Sequence, residues 1–95
     1  MKKVATIIVT YDGESWIERC LENLQESFFP TKIFVVDNAS TDSTIDIVKK
    51  YNVELIQSKE NKGFGFANNI ALKLALKENF DYYFLVNQDV YIEKN

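Results

Sequence analysis

Several residue types that commonly carry chemistry are rare or missing in this chain. The 95 residues contain no histidine and a single cysteine, Cys20. Without histidine there is no imidazole to act as an acid, a base or a metal ligand, and one thiol forms neither an internal disulfide nor a cysteine-based zinc site. Cys20 lies on the apolar stripe of a predicted helix, so we interpret it as a packed thiol. Any metal must be held by oxygen atoms, the ligands that Mg²⁺ and Mn²⁺ prefer.

The chain also has no strongly basic segment and no long hydrophobic run. Eleven basic residues against fourteen acidic ones give a net charge of −3, and the largest basic groups are pairs such as Lys2–Lys3 and Lys49–Lys50. Proteins that bind nucleic acids present a basic face, and this chain has no basic segment that could form one, so we expect no nucleic-acid partner. The apolar run Val4–Val9 is shorter than a signal-peptide core of ~7–15 residues, and no run approaches the ~20 residues that span a membrane. We therefore expect a soluble, cytoplasmic protein.

Four short hydrophobic runs alternate with helical patterns along the chain. A length of 95 residues suits one domain, and we expect residues 1–95 to share a single core. The runs are rich in β-branched and aromatic residues, which is typical of strands buried in a parallel sheet. The order β-α-β-α-β-α-β predicts an α/β fold of three layers, with a mostly parallel sheet between helices. The predicted strands are Val4–Thr10, Ile33–Val36, Val53–Ile56 and Tyr82–Val86.

Local signals predict where the helices begin. Ser15 and Glu18 have the spacing of a capping box, so the first helix should start there. Ser40 or Thr41 is expected to cap the second helix through its hydroxyl. A third helix is predicted over Phe66–Asn79 from its apolar periodicity.

Polar side chains follow three of the four predicted strands. They are Thr10-Tyr11-Asp12, Asp37-Asn38 and Asn87-Gln88-Asp89. Loops are polar in most proteins, so each group alone is equally consistent with an ordinary turn. Because parallel strands end at the same edge of a sheet, the three groups together predict a binding crevice at that edge.

The glycines of the chain do not form a familiar phosphate-binding pattern. Gly63-Phe64-Gly65 follows the third strand and continues to Asn68, so it is not the dinucleotide fingerprint, and no P-loop is present. Phosphates would instead be neutralised by a metal held at Asp89. An ionised carboxylate only accepts hydrogen bonds, so Asp37 suits a ring N–H or a ribose hydroxyl.

Four ordered segments together resemble a known family. They are Ile8–Tyr11, Val35–Asp42, Asn61–Asn69 and Asn87–Asp89. The sequence resembles the N-terminal, donor-binding half of family-2 glycosyltransferases, the inverting class with the Rossmann-like GT-A fold. The resemblance covers essentially the whole chain, which implies a truncated nucleotide-diphospho-sugar transferase.

The resemblance implies that a UDP-sugar or a dTDP-sugar binds along the strand edge. Thr10 and Tyr11 would flank the base, and Asp37 would hydrogen-bond the base or the ribose. Asp89 matches the metal-binding aspartate of the family's Asp-x-Asp motif, for Mg²⁺ or Mn²⁺, whereas the neutral Asn87 departs from that pattern and weakens the charge of the metal site. An asparagine at this position is similar to rhamnosyltransferase-type members. The predicted nucleotide-sugar contacts are Thr10, Tyr11, Asp12, Asp37, Asn38, Lys62, Gly63, Asn69 and Asn87.

In the family, the acceptor-binding half and its general base follow the metal motif. This chain ends six residues after Asp89, and Glu93 is its one later carboxylate. We assign no catalytic residue within the chain and expect the base beyond Asn95. The 95 residues should bind a nucleotide without transferring sugar. The full-length enzyme would transfer sugar to an acceptor hydroxyl with inversion, in cell-surface polysaccharide synthesis and in peripheral contact with the inner membrane face.

Two further expectations follow from the missing half. Apolar surface around Phe80, Tyr82 and Phe84 should be uncovered, which favours a homo-oligomer. The alternative to an enzyme is a non-catalytic α/β module that binds a nucleotide or a partner protein. A sugar-phosphate nucleotidyltransferase is disfavoured, because the segment Tyr11–Glu14 offers no basic residue for a phosphate loop.

Overall fold

Strands and helices alternate along the chain, as the hydrophobic pattern predicts. A computed structural model describes residues 3–26 and 31–87, with only the backbone of Phe64 and Asn87. The strands form one sheet in the order β3-β2-β1-β4, and every pairing is parallel. The elements are β1 (Val4–Thr10), α1 (Ile17–Gln25), β2 (Thr31–Asn38), α2 (Thr44–Val48), β3 (Glu54–Ser58), α3 (Phe64–Ala75) and β4 (Tyr82–Asn87).

The helices cover opposite faces of the sheet, which confirms the three-layer α/β fold. Side chains alternate across each strand, so neighbouring residues of β1 enter different cores. Ile7 packs with the alanines of α3 on one face, whereas Ile8 packs with Ile17 of α1 and Val48 of α2 on the other. All residues from Ala5 to Thr10 are buried, as expected for a central strand.

The first two helices begin differently from the prediction. The capping box is wrong: α1 begins at Ile17, and its N-cap residue Trp16 makes no side-chain capping bond. The turn before it is closed by the Gly13 carbonyl, which accepts from the amides of Trp16 and Ile17. Capping of α2 by Ser40 or Thr41 is also wrong, because α2 begins only at Thr44. The amides of Gly13 and Ser43, which precede these two helices, donate hydrogen bonds from one loop to the other instead.

The bounds of β2 and α3 also differ from the predicted ones. β2 continues two residues beyond its predicted end, because Asp37 pairs with Thr10 of β1 and with β3. α3 begins at Phe64 and ends at Ala75, four residues before the predicted end. The chain then turns so that Phe80 packs edge-on against Phe34, with ring centroids 6.0 Å apart.

Cys20 is buried between α1 and the sheet, as its position on the apolar stripe predicts. Burial raises the pKa of its thiol to about 11, so the nucleophilic thiolate is scarce at neutral pH. The interpretation as a packing residue is confirmed. Among the helices of the described residues, none is long and apolar enough to cross a membrane.

β4 lies at one edge of the sheet and is poorly covered. Within the described ranges it pairs with β1 alone, and α3 packs mainly on β1 and β2. Tyr82, Phe84 and Leu85 are 50%, 57% and 50% exposed, which matches the expectation for the first two. Phe80 was expected to be exposed as well, but its packing against Phe34 makes it half-buried.

Candidate functional site

The predicted polar groups meet at the carboxyl edge of the sheet. Thr10 of β1 lies opposite Asp37 of β2, and one residue back Val9 lies opposite Asn87 of β4. The strand order reverses between β1 and β4, which is where open α/β sheets bind their ligands. β2 and β4 are two inter-strand spacings apart, roughly 10 Å, so one extended ligand can reach both strand ends.

Asp37 is the most completely fixed side chain of this edge. It is 1% exposed, and its Oδ2 accepts a hydrogen bond from the Ser40 amide at 2.9 Å. Its Oδ1 accepts from the Ser40 hydroxyl at 2.5 Å. A carboxylate offers about four acceptor positions, so both oxygens keep the capacity to accept from a ligand.

The loops that follow β1 and β2 are joined by reciprocal hydrogen bonds. The Asp12 amide donates to Ser40 Oγ and the Gly13 amide donates to Thr44 Oγ1, both at 2.8 Å. In return, the Thr41 amide donates to Asp12 Oδ1 at 2.8 Å. The side chain of Asp12, a predicted ligand contact, therefore also holds the two loops together.

Gly13 fits into its buried turn, between Thr10 and Trp16, because it has no side chain. A Cβ at this position would meet Thr10 Oγ1 and lie 2.5 Å from Trp16 Nε1. Thr10 itself is fully buried, and in the described part of the chain its Oγ1 has no hydrogen-bond partner. Buried hydroxyls without a partner are rare, so this one is consistent with a ligand or water at the predicted position.

The loop before α3 is attached to β2 by two asparagines. Asn38 is 2% exposed, and its Nδ2 donates to Asn61 Oδ1 at 2.8 Å. The same oxygen accepts from the Gly63 amide at 3.0 Å. The Asn38 side chain thus positions a loop through its Nδ2, while its Oδ1 has no partner among the described residues, and the ligand contact expected of Asn38 stays a prediction. Asn61 was not chosen from the sequence, although an asparagine two residues before a glycine is a known turn signal.

The other predicted contacts on this side are exposed. Gly63 has a φ of 94°, a backbone angle that glycine tolerates best, and it precedes α3 without a side-chain cap. Lys62 is exposed, with its Nζ 5.1 Å from the centroid of the Phe66 ring. Asn69 lies further along α3 and is exposed, and Tyr11 is 38% exposed at the end of β1.

The predicted metal site is only partly within the described residues. β4 ends at Asn87, whereas Gln88 and Asp89 lie outside the described ranges. In residues 3–26 and 31–87 no group of three acidic, histidine or cysteine side chains is placed to hold a metal. The backbone at Asn87 nevertheless reaches the same edge as Asp37. This placement and the oxygen-bearing donors of Asn87 and Asp89 fit a hard divalent cation.

A groove of about 680 Å³ lies at the opposite end of the sheet, beside the amino ends of the strands. Its charged lining includes Lys32, whose Nζ lies 2.7 Å from Glu78 and 3.4 Å from Glu54. The one positive and two negative charges of these side chains leave a net charge of −1. None of the predicted site residues lines this groove, so the strand edge remains the candidate site.

Comparisons with known proteins agree with this geometry. The sequence model described as glycosyl transferase family 2 matches residues 5–95. The chain belongs to this family. Its parallel sheet with helices matches the GT-A glycosyltransferase fold of the solved relatives, which confirms the predicted fold and family.

Three relatives show how far the similarity extends. The poly(ribitol-phosphate) β-N-acetylglucosaminyltransferase TarS of Staphylococcus aureus is 37% identical over 99% of this chain and 17% of its own length. The dTDP-rhamnosyl transferase RfbG of Shigella flexneri is 31% identical over 86% of this chain and 31% of its own length. The crystal structure of TarS residues 1–349 in complex with UDP has a TM-score of 0.80 at 33% identity, covering 94% of this chain and 28% of that one.

Another solved structure is similar over a smaller share of the chain. The mannosyltransferase PcManGT of Pyrobaculum calidifontis, in complex with GDP-Man and Mn²⁺, has a TM-score of 0.71 at 33% identity. The match covers 76% of this chain and 24% of that one. The chain thus spans less than a third of the length of each of these relatives.

Proposed function

We propose that this chain is the donor-binding part of a glycosyltransferase and binds a nucleoside diphosphate-sugar along the carboxyl edge of its sheet. The observation that carries the proposal is the alignment of Asp37, Thr10 and Asn87 at the ends of three adjacent parallel strands. Asp37 would accept a hydrogen bond from the base or the ribose, with Thr10 and Tyr11 beside the base. The diphosphate would extend towards the end of β4.

The phosphates need positive charge and hydrogen-bond donors, and this edge supplies both. Lys62 is an exposed cation in the loop that Asn38 and Asn61 hold against β2. Gly63 presents the uncapped amino end of α3, whose amides and helix dipole favour an anion. A Mg²⁺ or Mn²⁺ held by Asp89, with Asn87 nearby, would neutralise the diphosphate. The Mn²⁺ bound to PcManGT supports a divalent cation.

We infer a pyrimidine base that carries a ring N–H, as in uridine or thymidine. Where Asp37 accepts from the ring N–H of the base, uracil and thymine fit, whereas the corresponding ring nitrogen of cytosine has no proton and its exocyclic amino group lies at a different position. TarS binds UDP, and RfbG is a dTDP-rhamnosyl transferase, so each choice has a precedent among the relatives. The expected sugar depends on the nucleotide: an N-acetylhexosamine if the donor is a UDP-sugar, as for TarS, and a rhamnose if it is a dTDP-sugar, as for RfbG.

The transfer itself needs groups beyond those described. An acceptor hydroxyl attacks the anomeric carbon, the bond from that carbon to the diphosphate breaks, and a base takes the hydroxyl proton. We propose that this base and the acceptor site lie outside the 95 residues, so that the chain alone binds donor without transferring sugar. The relatives support a role in cell-wall or cell-surface polysaccharide synthesis, with the cytoplasmic location expected from the sequence.

Calorimetric titration of the chain with UDP, dTDP and CDP, with and without Mn²⁺, tests the proposal. We expect UDP or dTDP to bind at least 10-fold more tightly than CDP, because a site built for a ring N–H rejects a base that lacks it. Binding should weaken without Mn²⁺ and on Asp89→Ala. Binding of none of the three nucleotides would overturn the proposal. Detectable sugar transfer by the 95 residues would overturn the assignment of the base to another part of the protein.

A further inference from the structure

One side chain connects the predicted base-binding carboxylate to the loop that follows β1. Ser40 Oγ donates to Asp37 Oδ1 at 2.5 Å and accepts from the Asp12 amide at 2.8 Å. The Ser40 amide donates to the other oxygen of Asp37 at 2.9 Å. Both carboxylate oxygens are therefore fixed by the same residue, and that residue is fixed by the neighbouring loop.

The backbone between Asp37 and Ser40 is shaped for these contacts. Ala39 has a φ of 68°, in the left-handed region that non-glycine residues seldom adopt. This angle turns the chain sharply, so that the amide and the hydroxyl of Ser40 both face the Asp37 carboxylate. Asp12, on the other side of the contact, also has a positive φ of 47°. Two unfavourable backbone conformations thus flank the hydroxyl that links them.

Ser40 and Thr44 both link the two loops, but their hydroxyl groups bond to different carboxylates. Thr44 Oγ1 accepts from the Gly13 amide at 2.8 Å, so it joins the same two loops as Ser40. The Thr44 hydroxyl donates to Asp42, whose other oxygen accepts from the Glu14 amide, and none of these bonds involves Asp37. Both Ser40 and Thr44 therefore link the two loops, whereas it is Ser40 that donates to both oxygens of the Asp37 carboxylate.

We propose that Ser40 is a positioning residue for nucleotide recognition, acting through Asp37. Its hydroxyl holds the carboxylate in the orientation in which an oxygen of Asp37 accepts from the base or ribose, and it ties this orientation to the loop that carries Tyr11. The inference rests on the proposed function, since it requires that Asp37 contacts the nucleotide.

The test measures UDP affinity of the 95-residue chain by calorimetry, together with the midpoint of thermal unfolding. Ser40→Ala should weaken UDP binding by roughly 10-fold, as expected for a lost hydrogen bond to a charged group. Ser40→Thr keeps a hydroxyl and should stay within about 2-fold of the unmodified chain. Thr44→Val is the matched control: it removes an inter-loop bond and lowers the midpoint, but should leave UDP affinity unchanged within the same margin.

A double-mutant cycle separates positioning from general stability. If Ser40 acts through Asp37, Ser40→Ala in an Asp37→Asn background should weaken binding no further than Asp37→Asn alone. Additive losses, an unchanged affinity in Ser40→Ala, a failure of Ser40→Thr to restore binding, or an equal loss in Thr44→Val would each overturn the inference. Absence of UDP and dTDP binding to the unmodified chain would instead overturn the proposed function, so the two failures are distinguishable.

Discussion

The side-chain amide of Asn38 donates to Asn61 Oδ1 at 2.8 Å and so attaches the loop before α3 to the end of β2. Asn61 Oδ1 also accepts from the Gly63 amide, which closes the turn that leads into the helix. One amide oxygen therefore sets the position of the predicted phosphate-binding loop relative to the predicted base-binding strand.

Removing this oxygen should destabilise the fold. Asn61→Ala leaves the buried Nδ2 of Asn38 without its partner, which is expected to lower the free energy of unfolding by about 1–3 kcal/mol. Chemical denaturation measures this loss. Asn79→Ala, at an exposed position beyond α3, is the control and should change stability by less than about 0.5 kcal/mol. Equal stability of the two variants would contradict the role given to Asn61.

Two glycine-to-alanine substitutions should change stability in opposite directions. Gly13→Ala places a methyl group against Thr10 Oγ1 and Trp16 Nε1 in a buried turn, so the fold should lose roughly 1–3 kcal/mol. Gly65→Ala lies in α3 with no atom within 4 Å of the new Cβ, and should gain about 0.5–1 kcal/mol from helix propensity. Urea denaturation of both variants checks the pair. A stable Gly13→Ala protein would show that the turn does not need the close approach.

Acid should destabilise the link between the two loops through Asp42. Partial burial raises the pKa of this carboxyl, but hydrogen bonds from Thr44 and from the Glu14 amide outweigh it, so the pKa lies below its ordinary value of 3.8. A pKa that is lower in the folded state gives stability that is present above pH 3.8 and is lost as the pH falls through the folded value. Thermal unfolding between pH 6 and pH 2.5 should therefore show a decline at the acid end.

The Asp42→Asn variant isolates this contribution. An amide does not titrate, so the variant should lose less stability than the unmodified chain over the same pH interval. Asp46→Asn, an exposed carboxylate on α2, leaves Asp42 intact and should retain the full acid loss. A decline of the same size in all three proteins would assign the acid sensitivity to other groups.

Within the described residues β4 pairs on one side only, and this unpaired edge predicts self-association of the 95 residues. Its sequence Tyr82–Asn87 carries no charge, and exposed apolar edge strands pair readily with further strands. Sedimentation analysis should give a mass above that of the 11.0 kDa monomer. Phe84→Lys, at a position 57% exposed, should restore the monomer without unfolding it. A monomeric mass for the unmodified chain at high concentration would contradict the expectation.

Part of this structure follows directly from the order of the residues. A strand buried on both faces consists almost entirely of apolar and β-branched residues, so Val4–Thr10 could be recognised from composition, and the structure has the same bounds. The burial of Cys20 followed from helical spacing, because a stripe that faces the core is periodic in the sequence. The convergence of polar residues at one edge followed from the parallel order of the strands.

Other features depend on which loops meet in three dimensions. Ser15 and Glu18 have the spacing of a capping box, yet α1 begins at Ile17. The segment before it is held instead by the amides of Gly13 and Glu14, which donate to Thr44 and Asp42. Likewise, the side-chain amide of Asn38 donates to Asn61, 23 residues away, a bond that the sequence pattern did not indicate. The sequence by itself determined the strands, the α/β order and the family, because a buried strand or helix face requires apolar residues at regular spacing within a short segment. Tertiary structure decided which polar groups hold the loops, because a short side chain bonds to whichever donor or acceptor the folded backbone brings within about 3 Å.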